Sequence, residues 1–264
     1  MDDVEEAVIE APARPELTTY EDLAGRIEHQ MLSPALHEDQ IIDACRMSWE
    51  CGLGAICVRP TDVDTAVRVL GSAPVKIGSV AGFPHGTSTT ATKLYEGRDL
   101  LRRGAKEVSL MVNVSKMISR QFQHVEVEIR QMADSCIENG ATLKVIYETG
   151  VMTEEMIIIL SKIVKRTCTR VAVASTGYGP PYTMDHLKLM RRILRDQADL
   201  QAGAKSLEDA LKLYDAGCDR ISTTAAEPMV TEWKRVLAER AKAAAGELET
   251  PAPVSFPRST VIRS

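Results

Sequence analysis

The feature that most constrains this chain is an alternation: short β-branched apolar runs, each followed by a longer stretch whose apolar residues recur at helical spacing. Ala55 to Arg59, Lys76 to Phe83, Glu107 to Val114, Leu143 to Thr149, Arg170 to Thr176 and Arg220 to Thr224 read as strands. Ile27 to Leu32 and Asp199 to Gly203 are weaker, but they fall where the repeat leaves gaps and bring the number to eight. Helical spacing covers Glu38 to Cys51, Thr61 to Leu70, Ala91 to Gly104, Phe122 to Asn139, Thr153 to Arg166, Met184 to Asp196, Leu207 to Gly217 and Val230 to Ala241. Gly104, Gly140 and Gly217 each stand just before a strand, where a helix C-cap is wanted.

Strands that are apolar throughout, each followed by a helix, describe a parallel sheet covered by helices, and closing it removes the exposed edges. The fold class expected is α/β, a single (β/α)₈ barrel; such barrels take roughly 250 residues, and 264 accommodate one. A doubly wound open sheet is the alternative. It wants a glycine-rich phosphate loop after its first strand, and none is visible. The expected organisation is a flexible acidic tail over 1–18, a barrel over 19–243 and a second flexible tail over 244–264, since both ends lack periodicity.

A net charge of −5 leaves no surplus of Lys and Arg for a phosphate backbone, so neither nucleic acid nor an anionic membrane is expected as partner. The six cysteines carry no CxxC or zinc-finger spacing and read as buried thiols in a reducing compartment. The acidic start has no basic n-region, and no apolar run reaches the length of a membrane helix, so a cytoplasmic protein is expected.

In a (β/α)₈ barrel, chemistry lies where strands run into βα loops. Here the third strand leads into Gly82-Phe83-Pro84-His85-Gly86-Thr87, the fifth ends at Tyr147-Glu148-Thr149-Gly150, the sixth leads into Ser175-Thr176-Gly177-Tyr178-Gly179, and the eighth ends at Ser222-Thr223-Thr224. Glycines at such positions let backbone N–H groups approach an anion, and hydroxyls add donors; for any one site, loop glycines and helix caps explain the same residues.

Taken in order, these segments resemble the deoxyribose-phosphate aldolase family over roughly residues 22 to 236. The stretch Ile27-Glu28-His29-Gln30-Met31-Leu32-Ser33-Pro34 is similar to the family's opening Asp-His-Thr-Leu-Leu-Lys-Pro, with Glu28 for Asp and Ser33 for Lys. Ile56-Cys57-Val58-Arg59-Pro60, Lys76 to Gly86 with Lys93 and Glu96, Leu143 to Thr149, and Ser175 to Gly179 follow in the family's order. The resemblance implies a class I aldolase: a sixth-strand lysine forming an imine, a seventh-strand lysine lowering its pKa, and a fourth-strand aspartate moving protons. Carried over residue by residue, these fall on Val173, on Asp199 (or on Gln201 if two residues are deleted) and on Ser109. The family's phosphate segment Gly-Gly-x-Arg reads Ala202-Gly203-Ala204-Lys205.

Imine formation needs a neutral amine beside the carbonyl, and valine has none. The candidates to replace it are Lys144, Glu148 and His85; by alternation Lys144, Ile146 and Glu148 share one face of their strand, while a structural ion pair of Lys144 with Glu148 or Glu107 explains the same residues. Cys57, Ser175, Thr176, Gly177, Gly203, Lys205, Ser222, Thr223 and Thr224 are the candidate substrate- and phosphate-binding residues. His29 reads as a structural hydrogen-bonding group, and Tyr178, Tyr182 and Pro180-Pro181 as a stiff wall or lid. Glu28, Glu148 and His85 have no metal-ligand spacing, so no metal and no cofactor are expected. The partner expected is a small phosphorylated sugar or aldehyde, and a homo-oligomer stays open. Three readings follow: a divergent protein with altered chemistry, a non-catalytic sugar-phosphate-binding pseudoenzyme, and a working lyase that uses Lys144 as its amine.

Overall fold

A computed structural model describes residues 14–245. Eight parallel strands pair in chain order and the eighth pairs with the first, closing the barrel. They are β1 Ile27–Met31, β2 Ala55–Val58, β3 Lys76–Ala81, β4 Glu107–Met111, β5 Thr142–Ile146, β6 Val171–Val173, β7 Asp199–Gly203 and β8 Arg220–Thr223. The open-sheet alternative is thereby set aside.

Around them run α1 Tyr20–Ala24, α2 Glu38–Glu50, α3 Val63–Leu70, α4 Thr90–Arg102, α5 Val114–Ile118, α6 Phe122–Glu138, α7 Glu154–Arg166, α8 Met184–Leu194, α9 Leu207–Asp215 and α10 Ala226–Ala244. α7 shows why such segments are helical. Thr153 caps it by accepting from the Met156 amide at 3.3 Å, Glu154 and Glu155 occupy its first turn, and Lys165 and Arg166 its last. Its buried residues Ile157, Leu160, Ser161, Ile163 and Val164 form one stripe against the sheet. The short α1 and α5 have no counterpart in the periodicity of the sequence; five residues are too few to show one.

Residues 14–18, expected to belong to a tail, lie against the barrel instead. Leu17 is buried, and Arg14 pairs with Asp219 and donates to the carbonyls of Cys218 and Tyr214. α10 holds this end as well, because the buried Trp233 donates from Nε1 to the Thr19 carbonyl at 3.0 Å. The rest of both expected tails falls on 1–13 and 246–264, outside the described residues. Among the described residues no helix is long and apolar enough to cross a membrane.

Alternation along the strands sorts their side chains into two populations. Ile56, Val58, Val108, Leu110, Leu143, Val145 and Ala172 face the helices and join the main core. Met111, Ile146, Val171 and Val173 face the barrel axis and form a separate apolar cluster, against which Phe83 and Val114 pack.

Candidate functional site

The inner face of the barrel changes character along its axis. Toward the strand starts it is ionic: Lys144 is 1% exposed and its Nζ is paired with Glu28, with Glu107 Oε2 at 3.5 Å. Arg220 donates from Nη1 to Glu107 Oε1 at 2.7 Å and from Nε to Asp199 at 2.9 Å, and Gln201 Nε2 donates to Glu28 at 2.7 Å. Each of these groups would be expensive to bury alone; together they form one connected set.

That set fixes the electrostatics of Lys144. Burial alone would pull its pKa down, but the facing carboxylates of Glu28 and Glu107 outweigh burial and hold it above the ordinary lysine value. Glu107 is likewise pushed up by burial, and the opposing pull of Lys144 and Arg220 leaves it below the ordinary carboxylate range. Cys57, on the same inner face, is raised by burial and by the neighbouring Glu28, so its thiol stays protonated.

A cavity of about 460 Å³ opens onto the N-terminal end of this set, with Arg26, Glu28, Lys76, Asp199 and Arg220 in its wall. Reaction centres of (β/α)₈ barrels lie at the opposite end, so the cavity does not mark one.

At the C-terminal end the inner face is apolar. Met111, Ile146 and Val173, the last residues of β4, β5 and β6, are level with one another in the pairing register, and the row continues to Gln201 on β7. Lys144 stands opposite Val171 and Ser109, one inward position below Ile146. Asp199 is opposite Val171 too, so Gln201, not Asp199, neighbours Val173 across the strands.

Glu148 does not continue the β5 face. Its backbone turns left-handed at φ 60°, the strand ends at Ile146, and alternation no longer aims its side chain. Its buried carboxylate accepts from the Ser175 hydroxyl at 2.6 Å, the Thr176 amide at 3.2 Å and the Thr176 hydroxyl. Among the described residues no cation pairs with it. Gly179 packs so closely that a Cβ there would sit 2.8 Å from the Glu148 carboxyl carbon. Glu148 therefore organises the loop after β6. The same loop uses its own donors internally, the Gly177 amide donating to Ser175 Oγ at 3.0 Å and the Tyr178 amide to Thr176 Oγ1 at 3.1 Å.

The other candidates are spread around the rim. His85 is exposed in the loop after β3, where Gly86 at φ 68° passes so near β4 that a Cβ would overlap the Val112 carbonyl oxygen. Gly203 and Ser222 are register partners at the ends of β7 and β8; Lys205 and Thr224 are exposed, and Thr223 Oγ1 accepts from the Ala225 amide at 3.0 Å. Tyr182 donates to the Gly203 carbonyl at 2.6 Å and ties the loop after β6 to this edge. His29 lies on the outer side, its Nδ1 3.4 Å from the buried Ser48 hydroxyl, and burial lowers its pKa. Lys144, Glu148 and His85 are therefore not gathered: one is in the ionic half of the barrel, one under the β6 loop and one on the surface.

Reading the sequence for strand-end residues overlooked Arg220, and it reached Gln201 only as the alternative match to the family's seventh-strand lysine. The signal was present for Arg220, which opens an apolar strand as Glu107 does, and a charged residue at the start of a buried strand needs a partner across the barrel.

Closed parallel topology, an inner face continuous with eight βα loops and a glycine- and hydroxyl-rich edge at β7 and β8 define a (β/α)₈ barrel. The chain belongs to the DeoC/LacD aldolase family, whose sequence profile matches residues 22–158. It is 32% identical over 217 residues to the deoxyribose-phosphate aldolase of Caldanaerobacter subterraneus subsp. tengcongensis, covering 81% of this chain and 94% of that one. Among solved structures it is similar to the aldolase QR15, with a TM-score of 0.77 and 29% identity over 82% of this chain and 98% of the other. The tetrameric deoxyribose phosphate aldolase from Aeropyrum pernix shares the fold, with a TM-score of 0.77 at 24% identity over 83% and 94% of the two chains.

Proposed function

We propose that this chain binds a small phosphorylated sugar or aldehyde at the C-terminal mouth of its barrel and does not cleave it by the family's imine chemistry. One observation carries the reading: Val173, at the position that matches the family's imine-forming lysine, lies in an apolar row with Met111 and Ile146. An aliphatic side chain cannot add to a carbonyl. The neighbouring positions offer no substitute, since Gln201 carries an amide and Ser109 a hydroxyl where a second amine and a carboxylate would be needed.

Lys144 is the nearest candidate amine on the inner face, and its environment argues against the role. An imine-forming lysine must lose its proton near neutral pH, whereas Glu28 and Glu107 stabilise the protonated form of Lys144. Gly203, Lys205, Ser222, Thr223 and Thr224 are the proposed phosphate contacts, on the edge where (β/α)₈ barrels commonly hold a phosphate. Lysine in place of the family's arginine gives a point charge in place of a bidentate fork. A homo-oligomer fits the tetrameric relative, but nothing in this reading depends on one.

The test is a calorimetric titration with deoxyribose 5-phosphate beside a retro-aldol assay on the same protein. Binding without turnover is expected. Turnover would restore the lyase reading, and absence of binding would remove the phosphate site.

A further inference from the structure

The floor of the mouth is polar on one side and hydrocarbon on the other, beneath a rim that carries Glu148, Ser175 and Thr176 bonded to one another on the hydrocarbon side, and the asymmetry of the floor bears on what the phosphate would be attached to. On the β7 and β8 side are Gly203, Lys205 and the hydroxyls that close β8. On the β4 to β6 side the three strands end in the level row Met111, Ile146 and Val173, with Val171 behind it. Phe83 and Val114, both half-buried, lie over this row, and the half-exposed Tyr178 meets Phe83 edge-on, with ring centroids 5.5 Å apart. Two polar groups beside the row are engaged elsewhere, Gln201 Nε2 with Glu28 and Lys144 with Glu28 and Glu107, while Gln201 Oε1 is buried without a partner among the described residues.

A polyol lying against such a surface would find one open acceptor, Gln201 Oε1, and would give up water from its other hydroxyls without gaining a partner. A hydrocarbon chain would gain from the same contact, each buried methylene strengthening binding roughly fourfold. From this juxtaposition, and resting on the phosphate reading above, we infer that the mouth selects an amphiphilic phosphomonoester. The phosphate is held at the β7 and β8 edge, and a short unsubstituted carbon chain lies against Val173, Ile146 and Phe83. The exchange of an amine for valine then changes which molecules fit as well as removing a reaction.

The experiment titrates the full chain with inorganic phosphate, deoxyribose 5-phosphate and n-butyl phosphate. The inference expects butyl phosphate to bind roughly tenfold or more tightly than deoxyribose 5-phosphate. Phe83→Ala, at a half-buried position, and Val173→Thr, close in shape to the original, should each erode that preference while leaving inorganic phosphate binding unchanged. Equal or reversed affinities for the two esters would overturn the inference and leave the phosphate reading intact. So would a preference that survives in a folded Phe83→Ala variant. Failure of all three probes to bind would overturn the phosphate reading, and this one with it.

Discussion

Below the level of Ile146 the barrel interior is a connected ionic set of Glu28, Glu107, Lys144 and Arg220; at that level Met111, Ile146 and Val173 present only carbon and sulfur. The two halves are built from the same strands and differ only by one step of alternation, yet they are suited to opposite tasks. In the lower half the carboxylates of Glu28, Glu107 and Asp199 meet Lys144, Arg220 and, 3.9 Å from Glu107, Lys76, so the charges are paired within the set. In the upper half, where a barrel keeps its chemistry, the strand ends carry no titratable group on β4, β5 or β6. Charge in a barrel interior is thus no sign of catalysis until its partners are counted.

The comparison breaks most readily at Lys144. Lys144→Met would leave Glu28 and Glu107 buried without their shared cation and should cost about 3–5 kcal/mol, read by denaturant unfolding. A cost below about 1 kcal/mol would mean that the lysine is not what holds the lower half together. The complementary change, Val173→Lys, places an amine in the apolar half and should cost about 2–3 kcal/mol, because burial there has no carboxylate to offset it. Desolvation would lower the pKa of that new amine, the opposite of what Lys144 experiences. Adding Ser109→Asp and Gln201→Lys should bring retro-aldol activity. Gln201 is chosen because it is level with Val173, whereas Asp199 is a position lower and paired with Arg220.

Acid sharpens the contrast with a smaller effect. Glu107 is held below the ordinary glutamate value of 4.5, so its contribution is present in full above that value. That contribution is lost as the pH falls through the depressed folded value. Lys144 has the opposite sign: its contribution is complete below 10.5 and is lost only as the pH rises through its raised folded value. From these two groups stability should therefore be level across neutral pH and decline on the acid side, with the lowered His29 adding its own loss below 6.5, and Glu107→Gln should flatten the more acid part of that decline. An unchanged acid limb would show that the carboxylate is not the group responsible. The smallest effect belongs to Glu148→Gln, about 1 kcal/mol, seen as faster hydrogen exchange confined to the loop after β6.

How far the sequence announced this arrangement can be judged residue by residue. All eight strands were legible, including the weak Asp199–Gly203, because apolar runs and the repeat are properties of local sequence. The extent of β5 was not, since a left-handed turn at Glu148 is a single backbone choice that hydrophobicity does not encode. The pairing of Lys144 with Glu28 links positions 116 residues apart, and only the closure of the barrel makes them neighbours. Val173 could be read as a missing amine from the order of family segments alone. That it lies in a row with Met111 and Ile146 required the strand register.

If, as proposed, no lysine of this protein meets a substrate carbonyl, reduction in the presence of substrate leaves every lysine free. Incubation with deoxyribose 5-phosphate and borohydride, followed by intact-mass and peptide mass spectrometry, should yield unmodified protein. A stoichiometric reduced adduct on Lys144, or on any other lysine, would show that imine chemistry survives.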